Sequence, residues 1–467
     1  MRSGTGNPDV GLSGPTDGEI AEARGLAARG DDEAARGAYL ALLARHPTDF
    51  RCLTELGRLA FAGGFRSAAQ TVYAQAVAHH PHEPIGHVNL GNVLRADGDP
   101  AAAKQAYRAA LDCDPGCAPA HQGLALVLAD EGDAEAAARH RERGFRGQAI
   151  VRRPYRGTGS APRVLLLVSA RGGIIPTDLW LDDRHYDVTA IYTDYADLTL
   201  PLPPHDLLFN AIGDADLCGE ALRRAVALCA RSRQPLLNRP DRVLATGRAD
   251  TATLLAGIVG VRTPEVRALA PAAIRDLTDL TFPVLLRRPG FHTGQHFHRA
   301  ETRAALMEAL AGFERDGAEA VLLIAYMNAR GADGLARKYR VMSIDGDLYP
   351  LHLAISPDWK VHYFTAAMAE DAAHRAEEQR FLDDPQAVLG SGGMAALRAI
   401  ADRLGLDYGG IDFGLAADGT ILVFEANATM VLIPPDPALI WDYRRPAIGR
   451  AFQAAERMLR RRIGAAT

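Results

Sequence analysis

The sequence predicts a multidomain fold: an all-α solenoid of stacked helix pairs, then an α/β domain, then an α+β domain. Two observations carry this expectation. The first third repeats itself every 34 residues. The remainder alternates short apolar strands with helical stretches and ends in a strand–turn–strand bearing two carboxylates.

Five registers in phase define the repeat. Gly30, Gly64, Gly98 and Gly132 are each 34 residues apart, as are Ala35, Ala69, Ala103 and Ala137. Pro47, Pro81 and Pro115 keep the same step, and so do Tyr39, Tyr73 and Tyr107, and Leu56, Leu90 and Leu124. Each unit reads as a helical hairpin. Leu56-Gly57 and Leu90-Gly91 put a large and then a minimal side chain on the first helix, so that a second helix can approach. Gly64 and Gly98 end that helix in a left-handed turn. Ala69 and Ala103 keep the second helix close, Tyr73 and Tyr107 fill the space between units, and Pro81 and Pro115 stop it.

This pattern resembles the tetratricopeptide repeat over residues 16–149, with Leu53, His87 and His121 where that family usually carries Trp. The resemblance implies a concave surface for a peptide or protein partner, with a ligand-free helical spacer as the alternative. His87 and His121 read as packed core residues. Residues 150–161, containing Arg152-Arg-Pro-Tyr and Gly157-Thr-Gly-Ser, have linker composition.

Val164-Leu-Leu-Leu-Val, Val188-Thr-Ala-Ile-Tyr and Leu207-Leu-Phe-Asn read as buried strands of a parallel α/β domain over 162–245. Gly172-Gly173 suits either a cofactor loop or a tight turn. From 246 to 467 the pattern changes. Phe282-Pro-Val-Leu-Leu-Arg287-Arg288 runs into Gly290-Phe-His-Thr293-Gly294, a strand feeding a glycine loop whose backbone N–H groups could cover phosphate oxygens. His292, His296 and His298 around it suit a polar loop over a nucleotide better than a metal cluster. Val321-Leu-Leu-Ile-Ala-Tyr326-Met327 is a further strand, and Lys338-Tyr-Arg340-Val leads into a strand–turn–strand. His352, Lys360 and His362 could bind an anionic substrate or simply pack on strands. Glu370 to Asp384 reads as an acidic helix, a solvated face or lid.

The most specific signal is Gly410-Ile-Asp412-Phe with Ile421-Leu-Val-Phe-Glu425-Ala-Asn427, joined through Asp418-Gly419 as a hairpin. Glu425 and Asn427 are two apart and face one side. Burying two carboxylates among Ile411, Phe413, Val423 and Phe424 is costly unless a cation compensates. Magnesium, held by carboxylates and phosphates, is the natural one. The bland alternative is a hairpin whose carboxylates face solvent.

Together these blocks resemble the ATP-grasp domain of carboxylate–amine ligases, of the glutathione synthetase, ribosomal-protein glutamate ligase and D-alanine ligase type. The region 162–245 resembles the small domain that precedes it. The resemblance implies ATP and Mg2+ as cofactors, with Asp412, Glu425 and Asn427 as metal ligands. It implies nucleotide contacts from Arg248, Thr293, Gly294, Lys338, Tyr326 and Met327, a phosphate contact from Arg287 or Arg288, and Arg340 as the catalytic guanidinium. The activity implied is carbon–nitrogen bond formation through an acyl phosphate. Ala325 departs from the family pattern on the strand that would contact adenine through its backbone, leaving the details of adenine and ribose recognition open, and Ala428-Thr-Met after Asn427 departs from it near the acceptor site, leaving the acid and amine open. A small-molecule phosphotransferase and a non-catalytic scaffold are the alternatives.

Composition narrows the rest. With 467 residues, 48% hydrophobic and 23% charged, the chain can bury a sizeable core. A net charge of −5 speaks against a nucleic-acid partner. The five cysteines are too irregular for a disulfide framework or a zinc site. No segment reaches the ~18 apolar residues of a membrane helix, and the first residues lack a signal-peptide run, so a cytoplasmic protein is expected.

Overall fold

The computed structural model describes residues 14–289, 296–361, 366–436 and 438–464. His292, Thr293, Gly294 and His362 lie outside the described residues. The chain forms two compact units, residues 1–161 with 183–188, and residues 162–182 with 189–467.

In the first unit α1 (Asp17–Ala28), α2 (Asp32–Arg45), α3 (Phe50–Ala62), α4 (Arg66–His79), α5 (Pro84–Ala96), α6 (Pro100–Cys113), α7 (Ala118–Asp130) and α8 (Ala134–Phe145) pack as consecutive hairpins. Every hairpin turns on a glycine with positive φ: Gly30 at 82°, Gly64 at 80°, Gly98 at 81° and Gly132 at 85°. Glycine adopts that conformation without steric cost, which is why the 34-residue step is anchored there. Asp31, Asp99 and Asp133 follow three of these glycines and cap α2, α6 and α8 with their side chains. The tyrosines fill notches left by other glycines. A β-carbon on Gly57 would lie 2.6 Å from the Tyr73 ring, and one on Gly91 2.7 Å from the Tyr107 ring. His121 is buried and His87 half-buried. Each sets its Nε2 against the carbonyl of the proline six residues upstream, at 2.9 Å for His87–Pro81 and 3.1 Å for His121–Pro115. The histidines thus tie each helix to the turn before it. A short strand, β1 (Ile150–Arg152), follows within the stretch of linker composition.

The second unit opens with β2 (Arg163–Val168), β3 (Asp187–Tyr192), β4 (Leu207–Asn210) and β5 (Leu236–Leu237), adjacent in the order β3-β2-β4-β5. β4 runs parallel to both β2 and β5, as βα crossovers require, and α9 (Ala215–Cys229) follows it. After α10 (Pro240–Leu244) and α11 (Arg248–Leu254) come β6 (Val261–Arg262), β7 (Val266–Leu269), α12 (Pro271–Arg275), β8 (Val284–Arg287), β9 (Phe297–Ala300), α13 (Arg303–Arg315) and β10 (Val321–Ala325). Strands β7-β10-β8-β9 form one antiparallel sheet, cored with α12 and α13 around Ile274, Leu286, Leu306, Leu310 and Val321.

The last elements are β11 (Ala336–Ile344), β12 (Asp347–Ser356), α14 (Ala372–Asp383), α15 (Pro385–Leu404), β13 (Tyr408–Leu415), β14 (Ile421–Asn427) and α16 (Arg445–Gly464). They build a second sheet in the order β12-β11-β13-β14-β6, backed by α14, α15 and α16. Its start is fastened to the parallel sheet by Asn238, whose φ of 51° lets its amide face β13. That amide accepts the Tyr408 N–H at 2.8 Å and donates to the Tyr408 carbonyl at 2.9 Å, imitating a strand neighbour.

Along α14 Gln379, Arg380 and Asp383 are exposed, whereas Glu378 turns inward. Glu378 is fully buried, accepts the Leu353 N–H from β12 at 3.2 Å, and is paired with Arg444 at 2.7 Å. Burial pushes its carboxyl up, and Arg444 and Tyr443 oppose that shift. Its neighbour Glu377 pairs instead with Arg337 at 2.6 Å.

Candidate functional site

Antiparallel register assembles the site. His352 on β12 stands opposite Arg340 on β11, Arg340 opposite Asp412 on β13, and Asp412 opposite Glu425 on β14. One cross-strand row therefore carries a histidine, a cation and two carboxylates. Lys338 lies two residues from Arg340 and shares its face. The β13–β14 register shifts just past Asp412, leaving Phe424 without an opposite residue. Such bulges re-aim side chains, and Phe424 lines the cleft described below.

Asp412 is 2% exposed. Arg340 grips it with both arms of its guanidinium, Nε to Oδ1 at 2.6 Å and Nη2 to Oδ2 at 2.8 Å, and Lys338 adds a bond at 3.0 Å. Glu425 pairs with Arg248 at 2.9 Å and accepts from the Asn427 amide nitrogen at 2.8 Å. Burial alone would raise both carboxyl pKa values. Arg340 and Lys338 more than reverse this at Asp412, and Arg248 and Arg287 do so at Glu425, holding both below the usual range. The cation that buried carboxylates demand is thus supplied by arginine and lysine side chains. Asn427, expected as a metal ligand, turns its oxygen to Thr429, accepting from the backbone N–H at 3.0 Å and the hydroxyl at 2.8 Å. Among the described residues no group of three or more His, Cys, Asp and Glu is placed to hold a metal.

Asp412 and Glu425 of this row line a cleft between the β7-β10-β8-β9 sheet and the sheet that carries the row. One lobe is apolar, with Leu285, Ile324, Ala325, Tyr326, Met327 and Phe424 along its walls. Arg299 stacks on the outer side of Tyr326, 4.2 Å from the ring centre. Of the two arginines at the end of β8, Arg287 lines the cleft, 5.3 Å from the Phe297 ring centre. Arg288 donates its backbone N–H to His296 at 3.1 Å. Burial, and then the charge of Arg248, pull Arg287 down to about 10. A guanidinium desolvated beside another cation favours an anion in front of it.

Lys360 also lines the cleft, whereas His352 is buried, and its burial and the charge of Arg340 hold it well below its ordinary pKa. It is therefore neutral near pH 7. Two contributors escaped the sequence reading. Asp216 backs Arg248 at 3.7 Å from its position in α9, and Ile174, in the turn after β2, borders a second lobe beside Arg340. The repeated carboxylates of Asp214-Ala-Asp216 are the one signal that could have marked the first. Nothing local marks the second.

Residues 54–118 and 88–140 match the tetratricopeptide repeat family. No curated protein matches the chain. Among solved structures it is similar to MamA from Desulfovibrio magneticus RS-1, at 24% identity and a TM-score of 0.25, over 26% of this chain and 69% of that one. Pseudomonas aeruginosa PilF matches at 20% identity and a TM-score of 0.26, over 27% and 59%. A RimK domain ATP-grasp protein from Sphaerobacter thermophilus matches at 17% identity and a TM-score of 0.40, over 64% and 99%. The repeat register of the first unit agrees with the tetratricopeptide match over residues 54–140, and the second unit sets two of its sheets about one cleft.

Proposed function

We propose that the second unit is an ATP-dependent ligase that joins a carboxylate to an amine through an acyl phosphate. The observation that carries this reading is the convergence of Arg248, Arg287, Lys338 and Arg340 on Asp412 and Glu425, beside an apolar lobe. Cations exceed carboxylates there, which suits a polyphosphate, and the lobe bounded by Tyr326 and Met327 suits a flat heteroaromatic base. An oxygen of the substrate carboxylate bonds to the γ-phosphorus as the bond to the β–γ bridging oxygen breaks, and ADP leaves. The amine nitrogen then bonds to the acyl carbon, phosphate departs with the electron pair, and the amine loses a proton. Arg340, permanently charged and fixed by Asp412, steadies the phosphoryl oxygens without reorganising.

Asp412 and Glu425 are neighbours in register and line the same cleft, so a divalent cation would find two hard oxygen donors beside phosphate oxygens. Magnesium bound there would neutralise phosphate charge during transfer. Asn427 would join only after rotating its amide.

The repeats, on this reading, hold the peptide or protein that carries one of the reacting groups and raise its local concentration. The test is ATP with candidate acids and hydroxylamine, which traps an acyl phosphate as a hydroxamate. ADP and hydroxamate should appear together and depend on the acid. Phosphate carried to a hydroxyl instead would make the unit a phosphotransferase. A scaffold that binds nucleotide without turnover is the second reading, favoured by the engagement of both Asp412 oxygens by Arg340 and Lys338. ATP binding with no ADP under any acid would establish it.

A further inference from the structure

The 34-residue step lets each hairpin be compared with the others, and the second one departs from the rest. Asp31, Asp99 and Asp133 precede α2, α6 and α8, and each caps its helix with a side-chain oxygen. In the same register α4 is preceded by Phe65, which makes no cap bond. Its backbone, at φ −82° and ψ 65°, nonetheless matches that of Asp31, at −86° and 67°. This helix start thus forgoes a hydrogen bond that the fold makes at the other three. In its place stands a phenylalanine that is 55% exposed. The ring lies back over the turn, where a β-carbon on Gly63 would come 3.1 Å from it, and the Arg36 guanidinium sits 5.3 Å from its centre. Phe61, near the end of α3, is 38% exposed at a register that elsewhere holds Ala27, Arg95 and Ala129.

Charge on these helices is mostly of one sign. Helices α3, α4 and α5 carry Arg51, Arg58, Arg66 and Arg95 against the single carboxylate of Glu55. Glu55 is itself held by Arg24 and Arg58, at 3.0 and 2.9 Å, and Asp97 in the turn after α5 by Arg66 at 3.7 Å. Among the described residues neither Arg36 nor Arg95 makes an ion pair.

We infer that this second hairpin is the docking point for a peptide or protein segment that combines an apolar side chain with carboxylates. The apolar side chain lies against Phe61 and Phe65, and the carboxylates meet Arg36 and Arg95. Exposed aromatic rings beside arginines are the combination that carries binding energy at protein interfaces. The inference rests on the reading of the repeats as the peptide-holding unit and does not depend on the chemistry of the cleft.

The experiment is fluorescence anisotropy with the full chain, without ATP, and three labelled hexapeptides. One alternates glutamate and leucine, one has lysine for glutamate, and one has serine for leucine. The first should bind more tightly than either other by on the order of tenfold, and should weaken as salt is raised. Phe65→Asn should reduce its affinity by a similar factor while melting no lower than the unaltered chain, since asparagine restores the cap. Lost binding in a protein of undiminished stability separates contact from folding. Phe65→Leu should keep most of the affinity, and Arg36→Gln combined with Arg95→Gln should abolish the preference for glutamate over lysine. Equal binding of the lysine or serine peptide, or undiminished binding by Phe65→Asn, overturns the inference while leaving the repeats a peptide-holding unit. Binding of none of the three peptides overturns both.

Discussion

Asp412 holds two cations with one carboxylate at 2% exposure, so its removal strands charge in the interior. Asp412→Asn should cost ~3–5 kcal/mol in denaturant unfolding, the usual penalty for breaking a buried pair from one side. The same variant should lose ATP turnover. Because the folded-state pKa of Asp412 is depressed, its stabilisation is complete above the unfolded value of about 4 and fades as pH falls below it. Unaltered protein should therefore lose more stability than Asp412→Asn between neutral and strongly acidic pH. Arg287 has the opposite sign. Its folded pKa is lowered to about 10, so the charged form is disfavoured by folding at every pH below that. Arg287→Met should stabilise the ligand-free protein by on the order of 1 kcal/mol, seen as a higher melting temperature, and weaken ATP binding. A variant both less stable and equally able to bind ATP would remove Arg287 from the anion site.

At the scale of elements, what was legible depended on how local the cause is. The repeat helices follow from glycine turns and proline stops inside each 34-residue unit, so their sequence alone places them. In the acidic stretch the polar run conceals a one-residue difference. Glu377 pairs with Arg337, while Glu378, one position on, points inward to Arg444, which lies 66 residues away. Glu378→Gln should destabilise by ~3–5 kcal/mol, and Glu378→Leu with Arg444→Met should recover most of it, because replacing both charges avoids desolvation. Thermal denaturation of the single and double variants decides this. In the repeats, Gly57→Ala should cost ~1–3 kcal/mol by driving its methyl into Tyr73, and amide exchange should rise first in α3 and α4.

At the scale of the whole molecule, residues 183–188, which end the β2–β3 connection and begin β3, group with the first unit. There Asp183 and Asp187 pair with Arg156 and Arg152, each at 2.7 Å. A boundary drawn at 161 from linker composition misses that return of the chain. A fragment of residues 162–467 should melt below the full chain, having lost both arginines, yet still bind ATP, since the described cleft residues all lie in the second unit. Deleting the repeats should raise KM for a peptide or protein substrate and leave ATP affinity nearly unchanged, measured by titration and initial rates.

By itself the sequence determined whatever rests on periodicity and short spacing. That covers the repeat register, the hairpin of Asp412 and Glu425, and the strand bearing Lys338 and Arg340. Backbone geometry within a few residues produces each of these. Only the tertiary structure decided which charges meet. Asp412 and Arg340 are 72 residues apart, and Glu425 and Arg248 further still, so the identity of the compensating cations depends on strand order and register. That Arg287 rather than Arg288 lines the cleft depends on the pleat, and the second lobe depends on a turn after β2 reaching the end of β14. Charge compensation is a requirement that composition can state, but only packing can assign it to particular side chains.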